Sequence, residues 1–451
     1  VYFYFDEKWL RWRETDVKDN LEAKASPVQN ETVQKDHHDD VITIVLTADN
    51  HLGYAGVGQQ PRKREERQKR LRHAFQQAAD FAIMQGVDLF IQAGDLFDTT
   101  TPDERDRSFV AAKLAQLKQA GVRAFALGGV HDTPTDAQSM LGETNPAPLL
   151  SYARLGALHY FPPVQKLDEQ ELEAALLDIR GIRVGICGLS VLAGQDDDFL
   201  ARVHVPTEVE KADLPILVLH APIEALVTDA LSLDTRPQVS LSSLEKQSTF
   251  KYILAGYHHN YSRTTIGQAE VIVAGATQHV DFSTLDRAPG FVFLGLATDG
   301  IRWCKHISVD SFSLQRLVIL AQDLWANQDS ASPTEVILER LRPLCSEDTM
   351  VQLRLEGELT RSAYHQLDLN KIRCYGEKHC FALAIDDSAL FLIPEQETVS
   401  TETGERFSPR EELIALADEW IVASTDEQER EALRITKEEL LLAMDEIKSK
   451  R

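Results

Sequence analysis

Carboxylates and imidazoles recur in six short stretches of this chain. They are Asp49 and His51 in TADNHLG, Asp95 and Asp98 in QAGDLFD, and His131 and Asp132 in GGVHDTP. His220 follows in VLHAP, His258 and His259 in AGYHH, and Asp281 in GATQHVDF. The first five stretches set these groups just after an apolar run. Hard divalent cations take carboxylate oxygen and imidazole nitrogen. A pair of them can hold a phosphodiester and activate water against it. Asp95 follows Gly94 at the end of such a run, where one carboxylate can bridge two cations. Asp132 stands beside His131 and could fix its tautomer. Each signal alone is weak: D-x-H arises by chance, an Asp after a strand often caps a helix, and a rim histidine usually packs. Asp103 is better placed than Asp95 for the capping role. It is the ordered recurrence that points to one pocket.

Those groups need elements to carry them. VITIVLTA, VDLFIQAGD and VRAFALGG read as buried strands. Between them lie a helix with Leu71, Phe75, Ala78 and Ala82 in register and a second with Phe109, Lys113, Leu114 and Leu117, ended by Gly121. Alternating strand and helix implies a parallel sheet with crossover helices. Ligands of such sheets bind beyond the carboxyl ends of the strands, where Asp49, Asp95 and His131 fall. The later runs GIRVGICGLS, PILVLHA, KYILAGY, AEVIVAGA and GFVFLGLA have few helices between them and suggest a second sheet packed on the first.

The expected fold class is α/β, two packed mixed β-sheets flanked by helices, with a smaller α+β domain and a helical tail. The expected boundaries are an extension at 1–40, the metal-carrying domain at 41–310, the small domain at 311–404 and the tail at 405–451. In the small domain, TMVQLRLEGEL and CFALAIDDSALFLI read as strands, with a helix near Arg361–Leu367. In the tail, Ser408, Pro409 and Glu411 form a capping box, and Thr436 with Glu439 forms a second. Leu413, Leu416, Trp420, Leu440, Met444 and Ile447 give these helices apolar faces. The first forty residues combine an aromatic start (Tyr2, Phe3, Tyr4, Phe5, Trp9, Trp12) with the polar stretch SPVQNETVQKDHHDD, read as a linker.

Length and composition bound the function. A chain of 451 residues should form two or three domains. No run reaches the length of a membrane span, and the early acids do not suit a signal peptide. Five scattered cysteines without a CxxC pair argue for a reducing cytoplasm and against a disulfide framework or structural zinc. A formal charge of −24 excludes a general nucleic-acid coat. DNA contact would then need a local basic patch or a basic partner. PRKREERQKRLR offers Arg62, Lys63, Arg64 and Arg67 as candidate DNA contacts, though Glu65 and Glu66 dilute it and a solvated helix face explains it slightly better.

The order D-x-H, G-D-x-x-(D/H), G-N-H-(D/E), H, G-H-x-H resembles the calcineurin-like metallophosphoesterases. Within them, ADNHLGY, AGDLFD, VHDTP, LHAPI and GATQHVDF are most similar to the SbcD-type DNA-repair exonucleases. The resemblance covers about 41–310, extends loosely into VQLRLEGELT as a capping domain, and does not reach residues 1–40. It implies a first metal site of Asp49, His51, Asp95 and His259. It implies a second site of Asp95, His220 and two positions that here are Val130 and Tyr257 in place of Asn and His. Valine offers no lone pair, and tyrosine is a poor ligand below its pKa of about 10. The resemblance also makes His131 the group that stabilises the phosphate and protonates the leaving oxygen, and aligns Asp98 with a position that is Asp or His. With Asp132, these are the candidate catalytic residues. The implied cofactor is Mn²⁺ or Mg²⁺, one ion held tightly and a second weakly or not at all. The implied partners are DNA and an SMC-like ATPase bound through the C-terminal helices, with room for a homodimer and no membrane.

Three readings follow. In one, the protein is a nuclease that processes DNA ends. In another, it is a pseudo-nuclease scaffold that binds DNA and the ATPase without cutting. The third, a phosphodiesterase for small phosphate esters, has less use for a capping domain and helical tail.

Overall fold

The structure is a computed structural model. It describes residues 40–56, 60–134, 146–163, 171–190, 200, 203–226, 239–280, 282, 288–324, 332–393, 405–406, 409–423, 430, 433–437 and 440–441. The chain divides into two compact units, Val1–Val41 and Ile42–Arg451. The expected extension at 1–40 and its linker fall almost wholly outside the described residues.

In the second unit the first sheet has the order β12-β11-β1-β2-β3-β4. Its strands are β1 (Ile42–Thr47), β2 (Leu89–Ala93), β3 (Arg123–Leu127), β4 (His159–Phe161), β11 (Gly290–Ala297) and β12 (Gly300–Ser308). β1 to β4 pair in parallel, while β11 lies antiparallel to β1. The second sheet has the order β5-β6-β7-β8-β10-β9. It is built of β5 (Ala174–Ile179), β6 (Ile182–Ser190), β7 (Leu214–His220), β8 (Tyr252–Gly256), β9 (Ser262–Ile266) and β10 (Ala269–Val273). The run GFVFLGLA therefore closes onto the first sheet rather than joining the second.

Alternation along the strands decides what each face meets. Ile42, Ile44 and Leu46 of β1 join Ile91, Val184, Ile216, Val218, Leu254 and Ile272 in one buried layer between the sheets. Val45, on the opposite face, packs with Leu71, Phe75, Ala78 and Ala82 of α1 (Pro61–Gln85) and with Leu114 and Leu117 of α2 (Glu104–Gln119). Burying each large aliphatic side chain here contributes about 1.5–3 kcal/mol, so the two layers fix where the strands end. As the sequence suggested, Asp103 caps α2, its carboxylate accepting from the Asp106 N–H at 2.8 Å.

A third sheet, β13-β14-β15-β16, follows: Ser313–Leu320, Thr349–Thr360, Ala382–Ile393 and Glu405–Arg406. It has its own core, in which Ile337, Leu338 and Leu341 of α3 (Pro333–Leu341) and Ile372 of α4 (Leu369–His379) meet Val351, Leu353 and Leu355. The helix expected near Arg361 is the short Arg361–His365, capped by Thr360. Cys345 and Cys380 are joined by a disulfide, which corrects at this one pair the expectation drawn from their scattered spacing. In the tail, α5 (Pro409–Ala423) begins at the expected proline. Ser408, Glu439, Met444 and Ile447 lie outside the described residues, as does the side chain of Glu411. Residues 433–437 are already helical, so Thr436 sits within a helical turn and does not cap one. Among the described residues no helix is long and apolar enough to cross a membrane.

Candidate metal centre

The carboxyl ends of five strands supply the site. Asp49 and His51 follow β1, Asp95 and Asp98 follow β2, and His131 and Asp132 follow β3. His220 is the last residue of β7, and Tyr257, His258 and His259 follow β8. Among the described residues, three donor groups form: Asp49, His51 and His259; His51, Asp95 and His131; and Asp49, Asp95 and His220. Within each group the ligand atoms lie within 4.8 Å of one another. Asp49, His51 and Asp95 each belong to two groups, and Asp95 joins the His131 group to the His220 group, in line with its place after Gly94.

Close packing at this rim depends on glycine. A Cβ at Gly94 would fall 2.1 Å from His220 Nδ1, and one at Gly129 would fall 2.1 Å from Asp95 Oδ1. The backbone is strained as well: Asp49, His51, Asp95 and Tyr257 all have positive φ, at 48°, 45°, 53° and 78°. Left-handed non-glycine residues cluster at functional sites, because packing must hold them there at a cost of about 1–3 kcal/mol each.

Neighbouring groups aim the ligands. His220 Nδ1 donates to the Ala93 carbonyl at 2.9 Å, which leaves Nε2 as the free lone pair of the neutral ring. That Nε2 lies 3.2 Å from Asp95 Oδ2. His51 Nδ1 is held by Asp98 Oδ1 at 3.1 Å, turning its Nε2 into the site. Asp49 Oδ2, His51 Nε2 and His220 Nε2 are buried and make no hydrogen bond in the structure. Three orphaned donor atoms converging with Asp95 fit a hard or borderline divalent cation.

The charge pattern agrees. Burial pushes the Asp49 carboxyl up, against the pull of His220 and His259. Burial would raise Asp95 too, but His220, His51 and His131 outweigh it and hold it below the carboxylate range. Burial disfavours a charged His220, yet the Asp95 and Asp49 carboxylates push it up to about 9. The carboxylates thus demand positive charge at this point, which a cation can supply in place of the proton.

Two expectations about the catalytic residues change. Asp132 does not reach the His131 ring. Its Oδ1 accepts from the Gly129 N–H at 2.7 Å, and its Oδ2 from Leu96 and Phe97 N–H at 2.9 and 3.2 Å. It is fully buried, and burial together with Asp95 pushes it up to about 7. It therefore ties the β2 and β3 loops together. Asp98 takes the orienting position instead, 3.6 Å from His131 Nδ1. The His131 backbone N–H donates to Asp95 Oδ1 at 2.8 Å, and the half-exposed ring stands at the open side of the ligand set.

At the remaining positions, Val130 offers no ligand atom. The Tyr257 N–H donates to Asp49 Oδ1 at 3.1 Å, and its ring stacks edge-on to His220 at 5.7 Å. His258 does not substitute: its Nε2 accepts from the Ile223 N–H at 2.9 Å, and burial lowers it to about 4. Asp281 lies outside the described residues.

The basic patch divides. Arg62 and Arg64 are exposed. Lys63 and Arg67, also candidate DNA contacts, are turned inward. Lys63 Nζ donates to the Cys380 carbonyl at 2.7 Å. Arg67 is 2% exposed and donates to the His279 carbonyl at 3.2 Å. Both hold the third sheet to α1, so the candidate DNA surface shrinks to Arg62 and Arg64. Asn50 was passed over in the sequence. It is buried and donates to Thr47 and Thr277 hydroxyls at 2.9 and 3.1 Å, bracing the Asp49–His51 turn. Its place between two ligand candidates was the available signal.

Two packed mixed sheets with a His/Asp cluster at their shared rim define the class of metal-dependent phosphoesterases, which are hydrolases. Residues 42–261 match the calcineurin-like phosphoesterase family. The DNA double-strand break repair protein Mre11 of Thermoplasma acidophilum is 24% identical over 332 residues, covering 72% of this chain and 79% of that one. Its namesake in Halobacterium salinarum is 26% identical over 321 residues, 70% of each chain. The Saccharolobus solfataricus protein of the same name is 25% identical over 250 residues, 52% of this chain and 54% of that one, so there the match spans about half the relative's length.

Proposed function

We propose that this chain is the nuclease subunit of a DNA-repair complex, hydrolysing phosphodiesters at DNA ends with Mn²⁺ or Mg²⁺. The observation that carries this reading is the convergence of Asp49, His51, Asp95, His220 and His259 beside a half-exposed His131. Similarity to DNA-repair proteins supports DNA as the substrate. Asp49, His51, Asp95 and His259 would hold the first ion; Asp95 and His220 would contribute to a second. A bound cation supplies Lewis-acid polarisation of the phosphate and a more acidic water. The rest falls to the chain. His131, steadied by Asp98, donates its proton to the departing ester oxygen. Asp132 keeps the His131 loop against the Asp95 loop. The small domain at 311–404 acts as a cap over the substrate side.

Val130 and Tyr257 favour a second reading, a scaffold with one weakly productive ion or none. Anomalous diffraction from Mn²⁺-soaked crystals separates them. The nuclease reading expects at least one ion at Asp49, His51, Asp95 and His259 and Mn²⁺-dependent shortening of duplex DNA. An occupied site with no cleavage of linear, hairpin or single-stranded DNA would favour the scaffold. An empty site without cleavage would sink the nuclease reading and leave the scaffold.

The acidic chain needs help to reach DNA, and an SMC-like ATPase bound by the tail at 405–451 would supply a basic surface. Deleting 405–451 should abolish co-purification with that ATPase and leave Mn²⁺ binding unchanged. Full-strength co-purification of the truncated chain would refute the docking assignment.

A further inference from the structure

We propose that Arg67 is a positioning residue of the metal centre, coupling the seat of the third sheet to the two loops that present Asp49, His51 and His259. α1 sets Lys63, Arg67 and Arg70 on one face, at i, i+4 and i+7. The outer two meet the third-sheet region: Lys63 at the Cys380 carbonyl, and Arg70 at the Asp348 carboxylate with its guanidinium 4.2 Å from the Phe312 ring centroid. Arg67, between them, meets both sides. Toward the third sheet its guanidinium lies 5.7 Å from the Phe312 ring and 5.2 Å from the Phe381 ring, and Nη2 lies 3.5 Å from Met350 Sδ.

Toward the metal centre the guanidinium lies 5.3 Å from the ring of Tyr54. Tyr54 closes the turn that carries the ligands, its N–H donating to the His51 carbonyl at 3.0 Å. Gln68, the next residue on α1, donates to the Gly53 carbonyl at 3.2 Å, so this turn is held at two points. Arg67 Nη1 donates to the carbonyl of His279. Three residues earlier, the Ala276 N–H donates to the His259 carbonyl at 2.9 Å. One buried guanidinium therefore touches the loop of Asp49 and His51, the segment that braces His259, and the base of the third sheet. A planar cation stacked among three rings cannot be replaced by an ammonium of similar charge. Arg67 thus fastens both ligand loops from its place in the seat of the third sheet.

The inference rests on the metal-centre reading but not on nuclease activity, and Mn²⁺ alone is the probe. Mn²⁺ affinity of the full chain is measured by calorimetry, with amide hydrogen exchange followed in the metal-free protein. Arg67→Lys should weaken Mn²⁺ binding by about tenfold or more, the scale seen when a supporting partner of a metal ligand is lost. It should also speed exchange at the Leu52 and Tyr54 amides. The double variant Lys63→Ala/Arg70→Ala loosens the same seat and should speed exchange near Met350 and Phe381, while Mn²⁺ affinity stays within about twofold. Unchanged affinity in Arg67→Lys overturns the proposal, as does an equal loss in the double variant, which would mark a general effect of the seat. Should Arg67→Lys fail to fold, Tyr54→Leu carries the same expectation, and unchanged affinity there overturns it. A parent chain that binds no Mn²⁺ refutes the metal-centre reading and this proposal together. Normal parent binding with normal variants refutes this proposal alone.

Discussion

The two sides of the metal centre share one backbone and differ in side chains. On the side of Asp49, His51 and His259, every position offers a donor. On the side of His220, Val130 offers none and Tyr257 offers only a phenol. Yet Tyr257 keeps a φ of 78° and donates its N–H to Asp49. A bulky residue holds that conformation only where surrounding contacts impose it. The strained backbone is therefore kept on the side where the donors are fewer. Backbone and ligand set are separable properties, so the deficit should be reversible by side-chain exchange.

The largest expected effect tests the complete side. His131→Ala should lower Mn²⁺-dependent DNA cleavage by about 10²–10⁴-fold, the usual contribution of a positioned proton donor. Mn²⁺ affinity should change little, because Asp49, His51, Asp95 and His259 remain. Cleavage rates and calorimetry on the same variant check this. Equal loss of both would make His131 a ligand instead.

Next is the thinned side. Val130→Asn with Tyr257→His should add a second Mn²⁺ equivalent and raise cleavage by about tenfold or more. Metal counting by mass spectrometry and a nuclease assay read the two effects separately. A second ion without faster cleavage would place the defect outside the ligand set and strengthen the scaffold reading.

The legible parts of the site were those encoded locally. Asp or His after an apolar run marks a strand's carboxyl end, so Asp49, Asp95, His131, His220 and His259 could be set on one rim from sequence. What side chains do across the rim was not local. Asp132 looked like a tautomer clamp because it adjoins His131, but its oxygens are taken by amides at Leu96, Phe97 and Gly129. Arg67 looked solvated among charged neighbours. Its burial depends on Phe312 and Phe381, some 250 to 310 residues along the chain. β11 was assigned to the wrong sheet because antiparallel return beside β1 leaves no mark in its own apolar run. α3 was missed although its signal was present: Ser332, Pro333 and Glu335 match the pattern recognised at Ser408, and Ser332 accepts from the Glu335 N–H. α4 was the harder case, with only Ile372 and Gly376 fully buried, too few for a clear helical stripe.

A smaller effect probes how the complete side is aimed. Asp98→Asn keeps the size of the side chain but removes the charge that holds His51 Nδ1 at 3.1 Å and faces His131 Nδ1 at 3.6 Å. The amide can still accept a hydrogen bond from either ring, though more weakly. Cleavage should fall by about 10–100-fold, with Mn²⁺ affinity falling less. A variant indistinguishable from the parent in both would remove Asp98 from the centre.

The smallest expected effect asks whether Tyr257 contributes an oxygen at all. Tyr257→Phe removes only the hydroxyl and leaves the ring against His220 and the N–H on Asp49. A phenol with a pKa of about 10 stays protonated at neutral pH unless a cation draws the proton off, so it competes poorly with a carboxylate for that cation. Mn²⁺ affinity and stoichiometry should therefore match the parent within about threefold, under 1 kcal/mol. A tenfold loss, or a phenolate absorbance band that appears on adding Mn²⁺ to the parent and vanishes in the variant, would make Tyr257 a ligand. The His220 side would then be altered in donor type more than depleted, and Val130 alone would account for its weakness.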